Sequence, residues 1–322
     1  MKRFLWLSLQ FFLIAGIFGF LFWKAANATD SEGHNIFTLL YEQPKRWHFL
    51  AAAFFLQLFA VAITFIRWHW LVRSLGLQCS RREVFRLGFL GITLNLAPLG
   101  IVGGDAIKAV LLAQRNPDYM SQAVASVIID RFIGLLVMFL CGTFFVCLTG
   151  FAARPEILAK TFTHLVFVFT AASLVGTAIV FHPFFAKGQF ERLLEKIPLC
   201  GKLLSKLTRS LLLYRNHKRC LFQCCLVTFL VHTSFGLSLY WIALGLFLSV
   251  PDLMNHIMLH NVANLTSMIP LAAGPYEFFL DQLYHLLAMS VGMGFIVALM
   301  YRLMTIGVAI VGMVYYYAAN RT

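Results

Sequence analysis

Charge is what this chain has least of. Only 12% of its 322 residues are Asp, Glu, Lys or Arg, and just 13 are acids. A soluble globular domain carries about 25% charged residues, so an ordinary water-facing enzyme or binding domain is excluded. Metal frameworks are missing too: Cys79, Cys141, Cys147, Cys200, Cys220, Cys224 and Cys225 fall at no zinc-finger spacing. The stretch CLFQCC at 220–225 suits either a soft metal or small residues at a helix start. No Walker loop and no Gly-rich dinucleotide turn occurs, so no cofactor is expected. No Ser/His/Asp or Cys/His arrangement can be read from spacing, and no enzyme chemistry is expected. His256 and His260 stand at i, i+4, but no Glu follows the first His as a zincin requires, so they read as ordinary polar residues beside a hairpin; no metal is expected.

What the chain does have is apolar length. Hydrophobic residues make up 60% of it and mean hydropathy is +0.80. The fold class is all-α, a polytopic membrane bundle. A spanning helix takes about 20 apolar residues, and six runs qualify: 4–23, 49–72, 123–149, 162–182, 223–250 and 291–318. The first follows Met1-Lys2-Arg3 and reads as an anchor; a signal peptide cleaved after Ala26-Asn27-Ala28 is the alternative.

The formal charge of +13 lies between these runs, which fits the positive-inside rule and not nucleic-acid binding. Basic stretches 73–86 and 183–222 then face the cytoplasm. The nearly balanced loop 24–48 lies outside, and the amino terminus is cytoplasmic. The expected location is the plasma (bacterial inner) membrane.

Two regions, 84–118 and 252–289, break the pattern with Pro, Gly and acids. The charge assignment closes only if each enters and leaves on one side, as a re-entrant or broken hairpin. They also resemble each other. PLGIVGGD runs from Pro98 to Asp105 and PLAAGPYE from Pro270 to Glu277; Arg131 follows Asp105 by 26 residues and Arg302 follows Glu277 by 25. Each Arg is expected to begin a long apolar run. Residues 84–149 and 252–318 thus form two repeat halves within one transmembrane domain, 1–322. Three spans lie between the hairpins, so the copies would be inverted. Paired Gly/Pro-interrupted segments in inverted halves point to a transporter's binding site.

Irregular backbone at membrane depth needs cover from protein or a wet cavity. Gly100, Gly103 and Gly104 permit positive φ and close approach. Asp105 reads as the N-cap of a helix from Ala106, which would leave N–H groups free for a phosphate, with Lys108 one turn on. Intramembrane charges are functional candidates. The candidate substrate-binding set is Gly103, Gly104, Asp105, Lys108, Arg131, Glu277 and Arg302; Asp130 and Asp281 are candidates for coupling or structural ion pairs. Capping by Asp105–Lys108 and Glu277–Asp281, and pairing of Asp130 or Arg131 with Asp105, are the structural alternatives.

Segment 183–222 carries nine Lys/Arg. Phe190, Leu193, Leu194 and Ile197 mark one helical face, and Leu203, Leu204, Leu207 and Leu211 a second. One or two short helices are expected, either on an anionic leaflet or as a cap packed on the bundle.

PLGIVGGDAIKAVLL, AVASVIIDRFIGLL and IPLAAGPYEFFL resemble stretches of the lysylphosphatidylglycerol synthase transmembrane-region family, the flippase-like membrane proteins, over about 45–318. The second motif departs: Ala272-Ala273-Gly274-Pro275 stands where the family usually has a Gly-Gly turn. The resemblance implies a helical domain that moves a phospholipid or polyprenyl-linked head group between leaflets. A synthase carries a further cytoplasmic domain, for which 322 residues leave no room, so a stand-alone member is expected. The rival reading is an accessory subunit that presents lipid to a glycosyltransferase or lipid-modifying enzyme and docks through 183–222. A third is a membrane transferase using Asp105 and Asp130.

Overall fold

A computed structural model of the chain describes residues 2–29, 35–96, 101–182, 201–269, 271 and 273–318, with backbone alone at 2–7, 9, 101–102, 180 and 201–204. Pro98, Gly100, Pro270, Ala272, Cys200 and the amphipathic stretch around Phe190–Ile197 lie outside the described residues.

In chain order the helices are α1 (Lys2–Asn27), α2 (Ile36–Glu42), α3 (Trp47–Ser74), α4 (Arg81–Asn95), α5 (Ile101–Arg115), α6 (Met120–Leu148), α7 (Ile157–Phe181), α8 (Gly201–Leu212), α9 (Lys218–Leu246), α10 (Leu253–Ala263), α11 (Pro275–Leu286) and α12 (Met293–Ala318). Among the described residues the fold is all-α, with one isolated bridge, Thr29 to Asn35. Among the described residues, six segments are long and apolar enough to cross a membrane: those of α1, α3, α6, α7, α9 and α12.

Helix ends carry local signals. Ser80 and Glu83 form a reciprocal capping box at the start of α4, with Glu83 N–H to Ser80 Oγ at 3.2 Å and Ser80 N–H to Glu83 at 2.9 Å. Gly150, at φ 70°, follows the end of α6.

Some boundaries differ from the hydropathy reading. Lys24 belongs to α1, and the supposed loop 24–48 holds α2. The span expected at 223–250 runs from Lys218 to Leu246, because basic residues and cysteines continue the helix below the apolar run. Arg131 and Arg302 sit inside α6 and α12, not at their starts.

The spine is α3 packed antiparallel on α9. Gly245 abuts Leu50; Ser238 Oγ donates to the Ala53 carbonyl at 3.1 Å; Arg67 Nη1 donates to Thr228 Oγ1 at 2.8 Å; and Tyr214 Oη donates to the Leu71 carbonyl at 3.0 Å, just before α9 begins. Helix α1 joins through Phe22 and Phe18 against Phe295, at 5.0 and 6.1 Å between ring centroids. Helix α8 packs on the bundle: Ser210 Oγ reaches Ser121 Oγ at 3.0 Å, while Lys206 and Arg209 face outward.

Two hairpins complete the domain. At about 1.5 Å per residue, α4 and α5 are ~22 Å long and α10 and α11 are ~16–18 Å, too short for a ~30 Å hydrocarbon core. Both hairpins lie along α12. Near its start, Gly294 meets the Leu280–Asp281 backbone of α11. Towards its end, Gly312 meets Phe89, and Tyr315 packs on Phe89 and Phe85 at 5.7 and 6.4 Å. Between these points Arg302 pairs with Glu277, one helical turn into α11. The hairpins therefore approach from opposite ends of one spanning helix and stop near its middle.

Candidate functional site: a cavity between two hairpin tips

A cavity of about 270 Å³ lies where the tips meet. Ile92, Asn95 and Leu96 of the first hairpin form one wall. Asn264, Thr266, Ser267, Leu271, Ala273, Pro275 and Tyr276 of the second form another, and Tyr301, Arg302 and Thr305 of α12 close it.

The second tip is shaped by Gly274-Pro275. Gly274 has φ 101°, a conformation disfavoured for any residue with a Cβ. Pro275 occupies the first turn of α11, where its missing N–H does no harm. Glu277, fully buried, accepts the Gly274 N–H at 2.8 Å and pairs with Arg302 Nε. The carboxylate thus fixes both the turn and the arginine in the cavity wall. Tyr276 and Tyr301 stand beside it with ring centroids 5.8 Å apart. Behind them, His260 Nδ1 is 3.2 Å from Tyr276 Oη, and Asn264 Nδ2 is 3.3 Å from His260 Nε2.

The first tip corrects two expectations. Helix α5 begins at Ile101, so Asp105 is inside the helix and does not cap it. Gly104 has no positive φ; it allows close approach, with its Cα against the Gly91 carbonyl of α4. Its N–H is not available to a phosphate, because it donates to Asn95 Oδ1 at 3.0 Å. Gly103 lies on the same turn and is partly buried. The physical reason is shared: antiparallel helices this close need glycine facing glycine, and the helix must start early enough to supply it. Asn95 touches both features, lining the cavity and anchoring α5.

Beyond Gly104 lies a five-charge array. Arg131 Nε pairs with Asp105. Lys108 Nζ is 3.5 Å from Asp105 and 3.9 Å from Asp130. Arg67 Nε reaches Asp130 Oδ1 at 2.9 Å, and its Nη2 donates to the Asp130 carbonyl at 3.2 Å. Lys108 also sits 4.1 Å from the Trp68 ring centre, a cation–π contact. Three cations face two carboxylates, so the array keeps one positive charge. Exposure falls along it, from 45% for the Arg131 side chain to 7% for Arg67.

The candidates therefore fall into separate groups. Asp105, Lys108, Asp130 and Arg131 come together on α5 and α6; Glu277 and Arg302 come together at the cavity. Asp281 does neither. It pairs with Lys24 Nζ at 3.0 Å and accepts the Gly292 and Phe295 N–H groups at 3.0 and 3.3 Å, tying α1 and the start of α12 to α11. His256 is an interior group, its Nε2 2.7 Å from Tyr284 Oη and its Nδ1 2.9 Å from the Asp252 carbonyl. Among the described residues no three His, Cys, Asp or Glu side chains could share a metal.

Residues 6–312 match the sequence model of the lysylphosphatidylglycerol synthase TM region. The chain belongs to this family. No curated protein and no solved structure matches it. Family membership covers both hairpins, the charge array and the cavity, and it establishes an integral membrane protein of that kind. Sequence reasoning missed Arg67 and Lys24 as ion-pair partners, and it missed Asn95, Asn264, Tyr276 and Tyr301 as cavity lining. The signal for Arg67 was present: a single Arg deep in a run as apolar as 49–72 needs a buried counter-ion.

Proposed function

We propose that the protein is a lipid translocase whose substrate head group passes through the cavity between the hairpin tips. The observation that carries this reading is the meeting of two short hairpins, from opposite ends of α12, around a pocket with Arg302 in its wall. Neither hairpin is long enough to cross alone, so each closes the route from one side. Half-length helices that meet near the midplane are the arrangement transporters use to hold polar cargo. The two acid–arginine pairs, Asp105–Arg131 and Glu277–Arg302, join corresponding helices of the two halves, which favours an inverted repeat. Exchange of partners within these pairs would couple cargo binding to movement of a hairpin. On the positive-inside rule the amino terminus faces the cytoplasm. The engaged state of Asp105 and Asp130 weighs against acid–base chemistry, since both carboxylates already hold cations.

The test is translocation by the purified full chain in liposomes. Dithionite quenching of a head-group-labelled phosphatidylglycerol should reveal lipid exchange between leaflets, reduced at least tenfold by the paired change Glu277→Gln/Arg302→Gln. Exchange no faster than in protein-free liposomes would remove the translocase reading. It would favour an accessory subunit docking through the exposed Lys206 and Arg209 of α8, to be checked with a co-purified lipid-modifying partner.

A further inference from the structure

The family takes its name from a lipid that carries a lysyl group, and a cationic head group of that kind needs a carboxylate to receive it. This cavity offers none. Among the described residues that line it, Arg302 alone is charged. Glu277, the carboxylate paired with that arginine, is fully buried and already engaged by Arg302 and by the Gly274 N–H. Two tyrosine faces alone could accept a cation.

What the cavity does offer is a set of neutral hydrogen-bonding groups. Among the described residues, the Ser267 hydroxyl, the Tyr301 hydroxyl and the Asn95 NH₂ take no protein partner; Asn95 uses only its carbonyl, on Gly104. Asn264 uses only its NH₂, towards His260, and leaves its carbonyl. Unpaired donors and acceptors in a partly buried pocket favour a ligand with several hydroxyls. The Tyr276 and Tyr301 rings supply electron-rich faces for the C–H bonds of a saturated ring. A volume of about 270 Å³ holds a head group but not a tail; clefts for drug-sized ligands start near ~300 Å³.

We infer that the cavity binds a ring polyol esterified to phosphate, with Arg302 on the phosphate and the Tyr276–Tyr301 pair under the ring, and that it discriminates against cationic aminoacyl head groups. This deepens the translocase reading and rests on the same cavity. Such a head group has two sources: a sugar on a polyprenyl phosphate, or inositol on a glycerophospholipid.

The experiment is equilibrium binding to the full chain in detergent, which requires no transport. The test lipids are a short polyprenyl-phosphoryl hexose, the bare polyprenyl phosphate, phosphatidylinositol, phosphatidylglycerol and lysylphosphatidylglycerol. One or both ring-bearing lipids should bind about tenfold more tightly than their ring-free counterparts. A gain for the hexose alone assigns the polyprenyl source, and for inositol alone the glycerophospholipid. Tyr301→Leu should erase the gain. Ser267→Ala, at a partly exposed hydroxyl, should cut the gain several-fold without risk to folding. Tightest binding of lysylphosphatidylglycerol, or no gain from either ring, overturns the inference even if liposome exchange is seen. A clear gain without exchange upholds it and removes only the translocase reading.

Discussion

Replacing Glu277 by Gln tests whether the acid–arginine pair at the second tip holds the bundle together. Gln keeps the volume and an oxygen for the Gly274 N–H, so the φ 101° turn retains its anchor. What disappears is the counter-charge of Arg302. Removing one partner of a buried pair costs about 3–5 kcal/mol, because the other charge is left uncompensated. Arg302 is 23% exposed and borders the cavity, so water can soften the loss; the low end, about 3 kcal/mol, is expected. An ordinary interhelical hydrogen bond in a membrane protein is worth only about 0.6 kcal/mol, with a maximum near 1.7. The two accounts are therefore separable. Unfolding of the purified protein in mixed detergent–SDS micelles, followed by helical circular dichroism, gives the free energies of Glu277→Gln, Arg302→Gln and the double change. The double variant should recover much of the loss, with a coupling energy of about 2 kcal/mol or more. If the two single losses simply add, to within about 0.5 kcal/mol, the pair is not the structural unit described above.

Three further outcomes are expected. Gly104→Ala drives a methyl group into the Gly91 carbonyl and Asn95 Oδ1 and should destabilise by about 1–3 kcal/mol, whereas Gly91→Ala places its methyl group 3.5 Å from the Gly104 carbonyl and should be tolerated; the same unfolding assay compares them. Arg67→Lys keeps a charge for Asp130 but gives up the fork that also reaches Thr228 and the Asp130 carbonyl, a loss of about 1–3 kcal/mol, read as a lower unfolding midpoint. Burial lifts the Cys79 thiol, in the turn before α4, to about 11. Because the thiolate is the nucleophile, maleimide labelling at Cys79 should be slow at pH 8 and rise about tenfold per pH unit towards pH 11; fast labelling at pH 7 would contradict that burial.

The six spans were legible because a run of 20 or more apolar residues has few alternatives. The hairpins were legible because Pro, Gly and acids interrupt such runs at matching positions. The 26- and 25-residue spacings even pointed to the acid–arginine partners, since Asp105 meets Arg131 and Glu277 meets Arg302. The finer assignments failed where tertiary contact decides. Of the two uses expected for Gly104, positive φ and close approach, only the second holds, because spacing shows that glycine is needed but not which neighbour requires it. Lys24 lies beside a loop in sequence, yet in space it is held by Asp281 from 257 residues away. The aromatic lining of the cavity gave no signal: Tyr276 and Tyr301 are aromatic residues in apolar runs, and only the meeting of two hairpins makes them a wall.

Asn95 carries a consequence for how the pocket communicates with the rest of the domain. Its carbonyl oxygen latches α5, and the same residue forms part of the pocket wall. Both roles fall on one planar amide, so a guest that turns the Asn95 side chain also loosens its hold on Gly104, the residue next to Asp105 and its salt link to Arg131.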